Sequence, residues 1–330
     1  MKALVTGGCG FIGSNLVKKL FEDGWKVDVV DNMSNGYIDF LGDLKIRCIP
    51  SAAFLKHYND QFKNSDNSDI MVIQDDFASP AMLNHVHDGN YDIIFHCAAN
   101  PRVEYSVQKP VETTDENVFK TVKLFTAAKG KVKRIVFSSS CSVYGDSWNL
   151  PTVEDYGRNP NSPYALQKQW VEQLSRLYCK LYDIDIVCLR YFNVYGPNQY
   201  GDSPYSTAIS AWCNRVKESR SLRSDGDGEQ TRDMVFVGDV VRANILAANR
   251  KENFRGICIN IGTGKSISNN DILKIFIEKF SDIEIRHAPE RPGDVKHTLS
   301  CIKKARKELG FTAEVKIKDG LQKTFEWWEI

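Results

Sequence analysis

The sequence Thr6-Gly7-Gly8-Cys9-Gly10-Phe11-Ile12-Gly13 follows a short apolar run and decides the fold. The run breaks into glycines, and the chain then resumes as a helix whose apolar residues recur on one face until Gly24. Such a turn brings backbone N–H groups and a helix N-terminus against a pyrophosphate, and a side chain at Gly7 or Gly10 would block that approach. The spacing G-x-x-G-x-x-G therefore predicts a strand, a turn and a helix that bind a dinucleotide.

An acidic residue lies where a dinucleotide site needs one. Asp31 closes the second predicted strand, 24 residues after Gly7. A carboxylate at this point accepts hydrogen bonds from the adenosine ribose, and it would repel a 2′-phosphate. Asp31 therefore favours NAD over NADP. The alternative at this point is a purely structural glycine turn followed by an Asp that flanks a helix.

The rest of the chain alternates between short β-branched runs and helical stretches. The runs are Ala3–Thr6, Val27–Asp31, Ile70–Gln74, Ile93–His96, Ile135–Ser138, Ile184–Arg190 and Ile257–Ile261. Alternation of this kind predicts an α/β fold with a doubly wound parallel sheet of the Rossmann type.

The same pattern gives approximate domain boundaries. We expect a dinucleotide-binding domain at residues 1–192, with 236–262 returning to it. A smaller α/β substrate domain is expected at 193–235 and 263–330, where the pattern loosens into loops rich in Gly, Pro and Tyr. Residues 42–69 are polar and irregular, which predicts an exposed insertion between strands.

Composition excludes several classes of function. The chain has 330 residues and a formal net charge of +1, so it lacks the basic surplus that binding to nucleic acid requires. Its apolar runs are as short as strands and its first residues leave no room for a signal peptide, so we expect no membrane span and no secretion. Nine scattered cysteines without a C-x-x-C pair indicate buried thiols. We expect a cytoplasmic protein without a metal site.

Tyr164-Ala165-Leu166-Gln167-Lys168 is a candidate catalytic pair. Chance also produces Tyr-x-x-x-Lys, and a second copy begins at Tyr105. The surroundings favour the copy at 164, because Ser162 is a good N-cap and Pro163 a good first helical residue. Tyr164 then lies in the first turn, with Lys168 one turn further along the same face. The helix end and the ammonium both favour the phenolate, which makes this Tyr a usable general base.

A third motif, Ser138-Ser139-Ser140-Cys141-Ser142-Val143-Tyr144-Gly145, ends a predicted central strand. Doubly wound sheets place their catalytic groups at this edge, and hydroxyls there can bridge a substrate alcohol and a phenolate. The alternative is a polar strand end closed by a serine turn.

With these three motifs in this order, the chain resembles the extended short-chain dehydrogenase/reductase superfamily. More narrowly, it resembles the nucleotide-sugar 4-epimerases of the UDP-glucose/UDP-N-acetylglucosamine type, over nearly its whole length. Further matching segments are Asp75-Asp76-Phe77, His96-Cys97-Ala98-Ala99, Asn117, Arg190-Tyr191-Phe192-Asn193-Val194-Tyr195-Gly196-Pro197, Gly226-Asp227-Gly228-Glu229-Gln230-Thr231-Arg232-Asp233 and Arg291-Pro292-Gly293-Asp294.

The resemblance implies NAD-dependent epimerisation through a 4-keto sugar, with Tyr164 as the base, Lys168 on the ribose and Ser140 orienting the sugar hydroxyl. NAD contacts are implied at Gly7, Gly10, Phe11, Ile12, Gly13, Asp31, Asn32, Asp76, Phe77, Ala98, Ala99, Asn117, Tyr164 and Lys168. Substrate contacts are implied at Ser140, Ser142, Tyr164, Asn193, Arg232, Arg291, Asp294 and Thr298. The implied partners are a nucleotide sugar, with UDP favoured, and a second copy of the chain in a homodimer that includes helix 164–180.

Two departures from the family pattern bear on function. Lys120 stands where a small residue is usual. The triplet Ser140-Cys141-Ser142 replaces the Thr-Asp-Glu of the similar sugar dehydratases, and UDP-glucuronate decarboxylases carry a Glu at the third of these positions. Since those reactions need an additional acid or base, epimerisation is favoured. The alternatives are a dehydratase, a decarboxylase, an oxidoreductase or 4-keto reductase that exchanges its NADH, and a silent regulator that binds NAD or a nucleotide sugar.

Thr298 bears on the choice of sugar. In the related epimerases the residue four positions after the Asp of R-x-G-D lies beside the sugar, and a Tyr there excludes N-acetyl groups. The matching residue is Thr298, so we expect 2-acetamido sugars to be accepted. The alternative is that Thr298 begins a strand and faces away from the sugar.

Overall fold

The structure, a computed structural model, describes residues 1–50, 69–146, 149–201, 207–281, 283–290 and 295–330. Internal packing divides the chain into two compact units. Unit 1 comprises Met1–Ser139, Ser162–Leu189 and Asn244–Cys258, and unit 2 comprises Ser140–Asn161, Arg190–Ala243 and Ile259–Ile330. Residues 140–161 thus pack with unit 2, although the sequence-based division placed them in the first domain. Of the predicted returning segment 236–262, only 244–258 packs with unit 1.

The main sheet has eight strands in the described residues, and all but the edge strand Ile46–Pro50 are largely buried on both faces. The eight strands are β1 (Lys2–Thr6), β2 (Lys26–Asp31), β3 (Ile46–Pro50), β4 (Ile70–Gln74), β5 (Ile93–His96), β6 (Arg134–Ser140), β7 (Ile186–Tyr191) and β12 (Cys258–Ile261). Within the described residues their order is β12-β7-β6-β5-β1-β2-β4-β3. Strand β1 pairs in parallel with both β2 and β5. The chain therefore leaves β1 toward one side and returns on the other, and in such sheets ligands bind where the direction reverses.

Each of the seven predicted runs forms a strand of this sheet, and the predicted parallel α/β fold is confirmed. The prediction for residues 42–69 is wrong in part, because Ile46–Pro50 forms an edge strand in register with Ile70–Gln74. Within this strand only Ile49 is buried, so its sequence carries little of the apolar signal that marks the central strands. Residues 51–68 lie outside the described part of the chain.

Helices cover the sheet strands of unit 1. They are α1 (Phe11–Glu22), α2 (Pro80–His87), α3 (Val103–Gln108), α4 (Pro110–Thr114), α5 (Lys120–Ala128) and α6 (Pro163–Leu181), with a 3₁₀ turn at Ile38–Leu41 and a π-helical turn at Asp115–Phe119. The buried core joins strand residues such as Ile94 and Ile135 to helix residues such as Leu124 and Val171. Burial of these apolar side chains is what holds the helices on the sheet.

Unit 2 contains short strands, and these form two-stranded pairs. They are β8 (Asn193–Tyr195), β9 (Leu222–Asp225), β10 (Thr231–Arg232), β11 (Met234–Phe236), β13 (Ile267–Ser268) and β14 (Ile285–Ala288). The pairs β8–β11 and β9–β14 are parallel, and β10–β13 is antiparallel. The remaining helices are α7 (Ala208–Lys217), α8 (Val237–Asn249), α9 (Asn269–Lys279), α10 (Lys303–Leu309) and α11 (Ile317–Trp328), and a 3₁₀ turn spans Cys141–Tyr144. The part of α8 from Asn244 onward belongs to unit 1. No helix in the described ranges is long and apolar enough to cross a membrane.

Candidate active site

The glycines of the turn after β1 differ in what a side chain at each position would meet. Gly7 has a φ of +68°, and a Cβ there would lie 2.8 Å from the Cα of Ala98. A Cβ at Gly13 would lie 2.1 Å from the carbonyl oxygen of Gly7. At Gly10 the nearest atom would be that same oxygen, at 3.3 Å. Protein packing therefore requires Gly7 and Gly13, whereas the lack of a side chain at Gly10 leaves an open approach.

The N-terminus of α1 continues this approach. Gly10 is the N-cap, and no side chain caps the helix. The amides of the first turn, which begins with Phe11 and Ile12, therefore present donors and the positive end of the helix dipole. An uncapped helix start behind an open glycine is suited to a pyrophosphate.

Asp31 lies at the end of β2, beside the glycine turn. One carboxylate oxygen accepts a hydrogen bond from the amide of Cys9 at 2.9 Å, and the other accepts one from the amide of Met33 at 2.9 Å. Burial raises the pKa of the Asp31 carboxyl, and these two amides oppose the rise. Each oxygen can accept a further hydrogen bond, so two ribose hydroxyls can be bound. The neighbouring Asn32 is exposed, and its side-chain oxygen accepts a hydrogen bond from the amide of Ser34 at 3.0 Å.

His96 fixes the end of β5 from within the core. Its Nδ1 lies 2.7 Å from the hydroxyl of Thr6, and its Nε2 lies 2.9 Å from the hydroxyl of Thr121. Burial lowers the pKa of His96 to about 3, so the ring stays neutral. The Thr6 hydroxyl also accepts a hydrogen bond from the amide of Ala98 at 3.2 Å. This network sets the path of Ala98 and Ala99 past the glycine turn.

Asn117 lies in the π-helical turn and is fully engaged with protein. Its oxygen accepts a hydrogen bond from the amide of Asn100 at 2.7 Å. Its amide group donates to the Asn100 carbonyl at 3.1 Å and to the side chain of Gln167 at 2.8 Å. The side chain therefore joins the π-helical turn to Asn100 and to α6. The sequence analysis did not predict a role for Gln167, because its position between Tyr164 and Lys168 is the only signal that the sequence offers.

The predicted start of α6 is confirmed. The hydroxyl of Ser162 accepts a hydrogen bond from the amide of Ala165 at 3.2 Å, and the helix begins at Pro163. Tyr164 lies in the first turn, and its backbone N–H donates to the hydroxyl of Ser106 at 3.1 Å.

Lys168 lies one turn after Tyr164 and is buried. Its Nζ donates to the carbonyl oxygen of Ser138 at 2.7 Å and lies 5.8 Å from the centroid of the Tyr164 ring. Burial lowers the pKa of Lys168 to about 8, while Glu172 is among the groups that oppose this effect. An ammonium held at this place can stabilise a nearby phenolate.

The segment from Ser140 belongs to unit 2. The Ser140 hydroxyl accepts a hydrogen bond from the amide of Ser142 at 3.2 Å and caps the 3₁₀ turn. The hydroxyl oxygen of Ser142 is buried and has no hydrogen-bond partner in the described part of the chain. Burial raises the pKa of the Cys141 thiol to about 12, and Asp233 adds to the rise. The triplet therefore offers two hydroxyls and a thiol that stays protonated at neutral pH.

Two predicted substrate residues meet in unit 2. The side-chain amide of Asn193 donates to the hydroxyl of Thr298 at 2.9 Å, and the backbone N–H of Asp233 donates to the same oxygen at 3.2 Å. Thr298 thus turns its side chain toward Asn193. Arg232 is the residue next to Asp233, and its guanidinium donates to the carbonyl oxygens of Thr231 and Lys296, each at 3.0 Å.

Asp233 organises a buried hydrogen-bond network that the sequence analysis did not predict. Its carboxylate is fully buried and accepts hydrogen bonds from the amide and hydroxyl of Thr263, the amide of Gly264, and the amide and hydroxyl of Ser300. It thereby fixes the loop after β12 and the segment that carries Thr298. These partners are far away in sequence, so no local pattern indicates them.

The structure thus groups the predicted residues in two sets. Unit 1 contains the glycine turn, Asp31, Tyr164 and Lys168, and unit 2 contains the residues from Ser140 to Ser142 and the Asn193–Thr298 pair. Arg291 and Asp294 lie outside the described residues. Within the described ranges, no group of three His, Cys, Asp or Glu side chains could hold a metal ion.

Comparison with known proteins identifies the family. The model of the NAD-dependent epimerase/dehydratase family matches residues 3–262. The chain belongs to this family. The predicted resemblance is thereby confirmed, and the predicted cofactor, NAD, is the family's cofactor.

Relatives of this epimerase-family protein match it over nearly its full length. A putative UDP-glucose 4-epimerase of Methanocaldococcus jannaschii is 34% identical and covers 98% of this chain and 97% of its own. The structure of the UDP-N-acetylglucosamine 4-epimerase from Methanobrevibacter ruminantium M1, in complex with UDP-N-acetylmuramic acid, has 34% identity and a TM-score of 0.87, covering 99% and 98% of the two chains. The UDP-glucose 4-epimerase from Thermotoga maritima with UDP-glucose has 31% identity and a TM-score of 0.87, covering 100% and 99%.

Proposed function

We propose that this protein inverts carbon 4 of a UDP-sugar, with NAD bound throughout the cycle. The relatives named above support the reaction and the nucleotide. The observation that carries the proposal is the pairing of Tyr164 with a buried Lys168 ammonium one helical turn away. This arrangement supplies a base for a sugar hydroxyl, and the first step of an epimerisation through a ketone requires one.

Tyr164 and Lys168 carry the proton chemistry. The Tyr164 phenolate accepts the proton of the sugar 4-hydroxyl, and the Lys168 ammonium stabilises that phenolate and holds the cofactor ribose. NAD, when bound there, would supply the hydride acceptor and donor that oxidation and re-reduction at carbon 4 need. Tyr164 then returns its proton to the oxygen on carbon 4, which becomes a hydroxyl again. Protons and electrons therefore balance over one cycle, and the enzyme ends in its starting state.

The hydroxyls of Ser140 and Ser142 orient the sugar. The buried Ser142 oxygen lacks a protein partner within the described residues, and a sugar hydroxyl would supply one. Asn193 and Arg232 bind the diphosphate, a role for which an arginine fork is suited. We place Arg291 and Asp294 in the same nucleotide site by resemblance. Without a carboxylate at 140–142, these positions offer elimination of water or loss of CO₂ no acid or base in addition to Tyr164.

A small residue at 298 favours a substrate with an N-acetyl group. The Thr298 side chain lies beside Asn193, which supports a place near the sugar diphosphate. The relative from M. ruminantium is named for UDP-N-acetylglucosamine. We therefore propose UDP-N-acetylglucosamine as the preferred substrate and UDP-glucose as a second one.

We also propose a homodimer through unit 1. Helices α3, α4 and α6 expose large apolar side chains, namely Val103, Val107, Val111, Trp170, Leu177 and Leu181. Exposed apolar side chains on neighbouring helices favour an interaction surface. We propose a cytoplasmic location, which nine free cysteines support because a reducing compartment keeps thiols free.

Mass spectrometry of the purified protein, followed by NMR of incubated UDP-sugars, tests the function. We expect NAD in the native protein and inversion at carbon 4 without release of NADH. Stoichiometric NADH in solution would instead show a dehydrogenase, and loss of the 6-hydroxyl or of CO₂ would show a dehydratase or decarboxylase. A protein that binds NAD and converts no nucleotide sugar would contradict the proposed catalysis.

A further inference from the structure

Lys120 forms an ion-pair cluster near the end of β4. It is the first residue of α5, and its side chain is 16% exposed. Its Nζ donates to a carboxylate oxygen of Asp76 at 2.5 Å and also contacts the carboxylate of Glu116, one turn earlier. The ammonium therefore bridges two carboxylates from different parts of unit 1.

Asp76 lies in a turn that is already ordered. Its amide donates to the side chain of Asp75 at 2.7 Å, and its second carboxylate oxygen accepts from the amide of Ala78 at 2.8 Å. The amide of Asp75 donates to the carbonyl oxygen of Asp31 at 3.1 Å. The turn is thus attached to the residue proposed to bind the adenosine ribose, which places Asp76 on the adenine side.

The backbone N–H of Phe77 and the carboxylate of Asp76 form a pair of groups that can recognise adenine. The amide N–H of Phe77 makes no backbone hydrogen bond within the described residues, and the Phe77 ring packs edge-on against His96 at 4.9 Å. Adenine presents an amino group beside a ring nitrogen that accepts. An oriented carboxylate and a neighbouring N–H donor match that edge.

We propose that Lys120 is a positioning residue that fixes the Asp76 carboxylate for the adenine of the cofactor and thereby sets how firmly NAD is retained. This inference rests on the proposed NAD site and adds to it a residue that replaces the family's usual small one. Asp76 is partly exposed, so without the ammonium its side chain can rotate away. A restrained acceptor loses less entropy when it binds its ligand.

Charge provides a second reason for Lys120 to matter. Asp31, Asp75, Asp76 and Glu116 bring four carboxylates to this end of the sheet, and NAD brings a diphosphate. Lys120 offsets two of these carboxylates at hydrogen-bond distance. Loss of the ammonium would leave their charges uncompensated near an anionic ligand, and the resulting repulsion would weaken with salt.

The test uses the holoenzyme and two dinucleotides. Wild type and Lys120→Met are incubated with an equimolar mixture of isotope-labelled NAD and its hypoxanthine analogue until the bound dinucleotide has exchanged. Mass spectrometry then measures the ratio of the two dinucleotides bound to each protein. Hypoxanthine has a carbonyl oxygen and a ring N–H where adenine has an amino group and an acceptor, so it opposes both Asp76 and Phe77. We expect wild type to prefer NAD and Lys120→Met to lose most of that preference. Release of NAD from Lys120→Met should be faster by about tenfold, the size of one charge-assisted hydrogen bond.

Three controls separate positioning from other effects. Lys120→Arg should restore the preference, and Lys123→Met, which changes an exposed lysine on the same helix, should leave it intact. In an Asp76→Asn background, Lys120→Met should have little further effect, because the two changes act through one contact. The proposal is overturned if Lys120→Met keeps the wild-type ratio of bound dinucleotides, or if the binding of NAD and of the analogue is weakened equally. Wild-type protein that binds neither dinucleotide would instead refute the proposed NAD site.

Discussion

The ammonium of Lys168 donates to the carbonyl oxygen of Ser138 at 2.7 Å, which ties α6 to β6, the strand that ends at Ser140. The bond uses one of the three donors of the ammonium. Two remain, enough for the contact with the cofactor ribose that we propose. The same bond directs the lysine toward Tyr164, whose ring centroid lies 5.8 Å from Nζ.

Tyr164→Phe should preserve the fold and the bound NAD but abolish most activity. Only the phenol oxygen is lost, since the hydrogen bond from residue 164 to Ser106 uses the backbone N–H. Removal of a general base typically lowers turnover by about 10²–10⁴-fold. Turnover of UDP-sugars and the NAD content of the two proteins provide the check. Near wild-type turnover would remove Tyr164 from its assigned role.

Lys168→Met should change how stability depends on pH. Burial lowers the pKa of Lys168 from an ordinary 10.5 to about 8. Between these values the unfolded chain binds the proton more fully than the folded one, so the free energy of unfolding rises with pH. Across this window the rise amounts to about 3 kcal/mol for cofactor-free protein.

Thermal unfolding of both cofactor-free proteins from pH 7 to 10.5 measures this difference. Lys168→Met should lack the rise, because its side chain does not titrate. Exposed Lys123→Met serves as the matched control and should follow wild type. Parallel curves for wild type and Lys168→Met would show that Lys168 titrates normally.

Asp31→Asn should weaken the binding of NAD and reduce the preference of the site for NAD over NADP. The amide keeps the size of the side chain but loses the charge that binds ribose hydroxyls and repels a 2′-phosphate. Asn is preferable to Ala here, because its side-chain oxygen can still accept one of the two hydrogen bonds that the carboxylate accepts from the amides of Cys9 and Met33. Competition between the two cofactors for the holoenzyme gives the ratio, with exposed Asp39→Asn as the control. An unchanged ratio would contradict the role of Asp31.

The features that could be predicted from sequence are those encoded locally. Strands such as β1 are buried on both faces, and a continuous apolar run is their direct signature. The start of α6 follows from Ser162 and Pro163, which are adjacent to the residues that they position. Edge strand β3 buries only Ile49, so the same method failed there.

The features that could not be predicted depend on partners far apart in sequence. Asp233 binds residues 30 to 67 positions away, and Lys120 pairs with Asp76, 44 positions away. The sequence shows that Asn117 matches a family position. The fold shows that the side-chain amide of Asn117 is hydrogen-bonded to Asn100 and Gln167. Each of these contacts exists only after the sheet has formed.

Cys141→Ala should keep epimerase activity within a few-fold of wild type. Burial raises the pKa of this thiol to about 12, so it is a poor proton donor or acceptor near neutral pH. Its side chain packs against Val143, Tyr144 and Phe192, so a modest loss of thermal stability is expected. Carbon-4 inversion followed by NMR is the measurement. A loss as large as that of Tyr164→Phe would place the thiol in the chemistry and reopen the alternatives that need a third acid or base.

The last prediction concerns the sugar. The Thr298 hydroxyl accepts hydrogen bonds from Asn193 and from the amide of Asp233, so its side chain faces the proposed diphosphate ligand Asn193. A Tyr at this position would fill space that an N-acetyl group needs. Thr298→Tyr should therefore lower turnover of UDP-N-acetylglucosamine far more than turnover of UDP-glucose, by steric exclusion.

Thr298→Tyr also removes the two hydrogen bonds, so a matched variant must separate the two effects. Thr298→Val keeps the size and loses the hydroxyl, and it should lower both turnovers by a similar, smaller factor. Thr298→Ser keeps the hydroxyl and should resemble wild type with both sugars. The ratio of kcat/KM for the two substrates isolates the steric effect, because any general disturbance of Asn193 cancels in it. If Thr298→Tyr leaves that ratio unchanged while Thr298→Val behaves as expected, the gate for the N-acetyl group lies elsewhere.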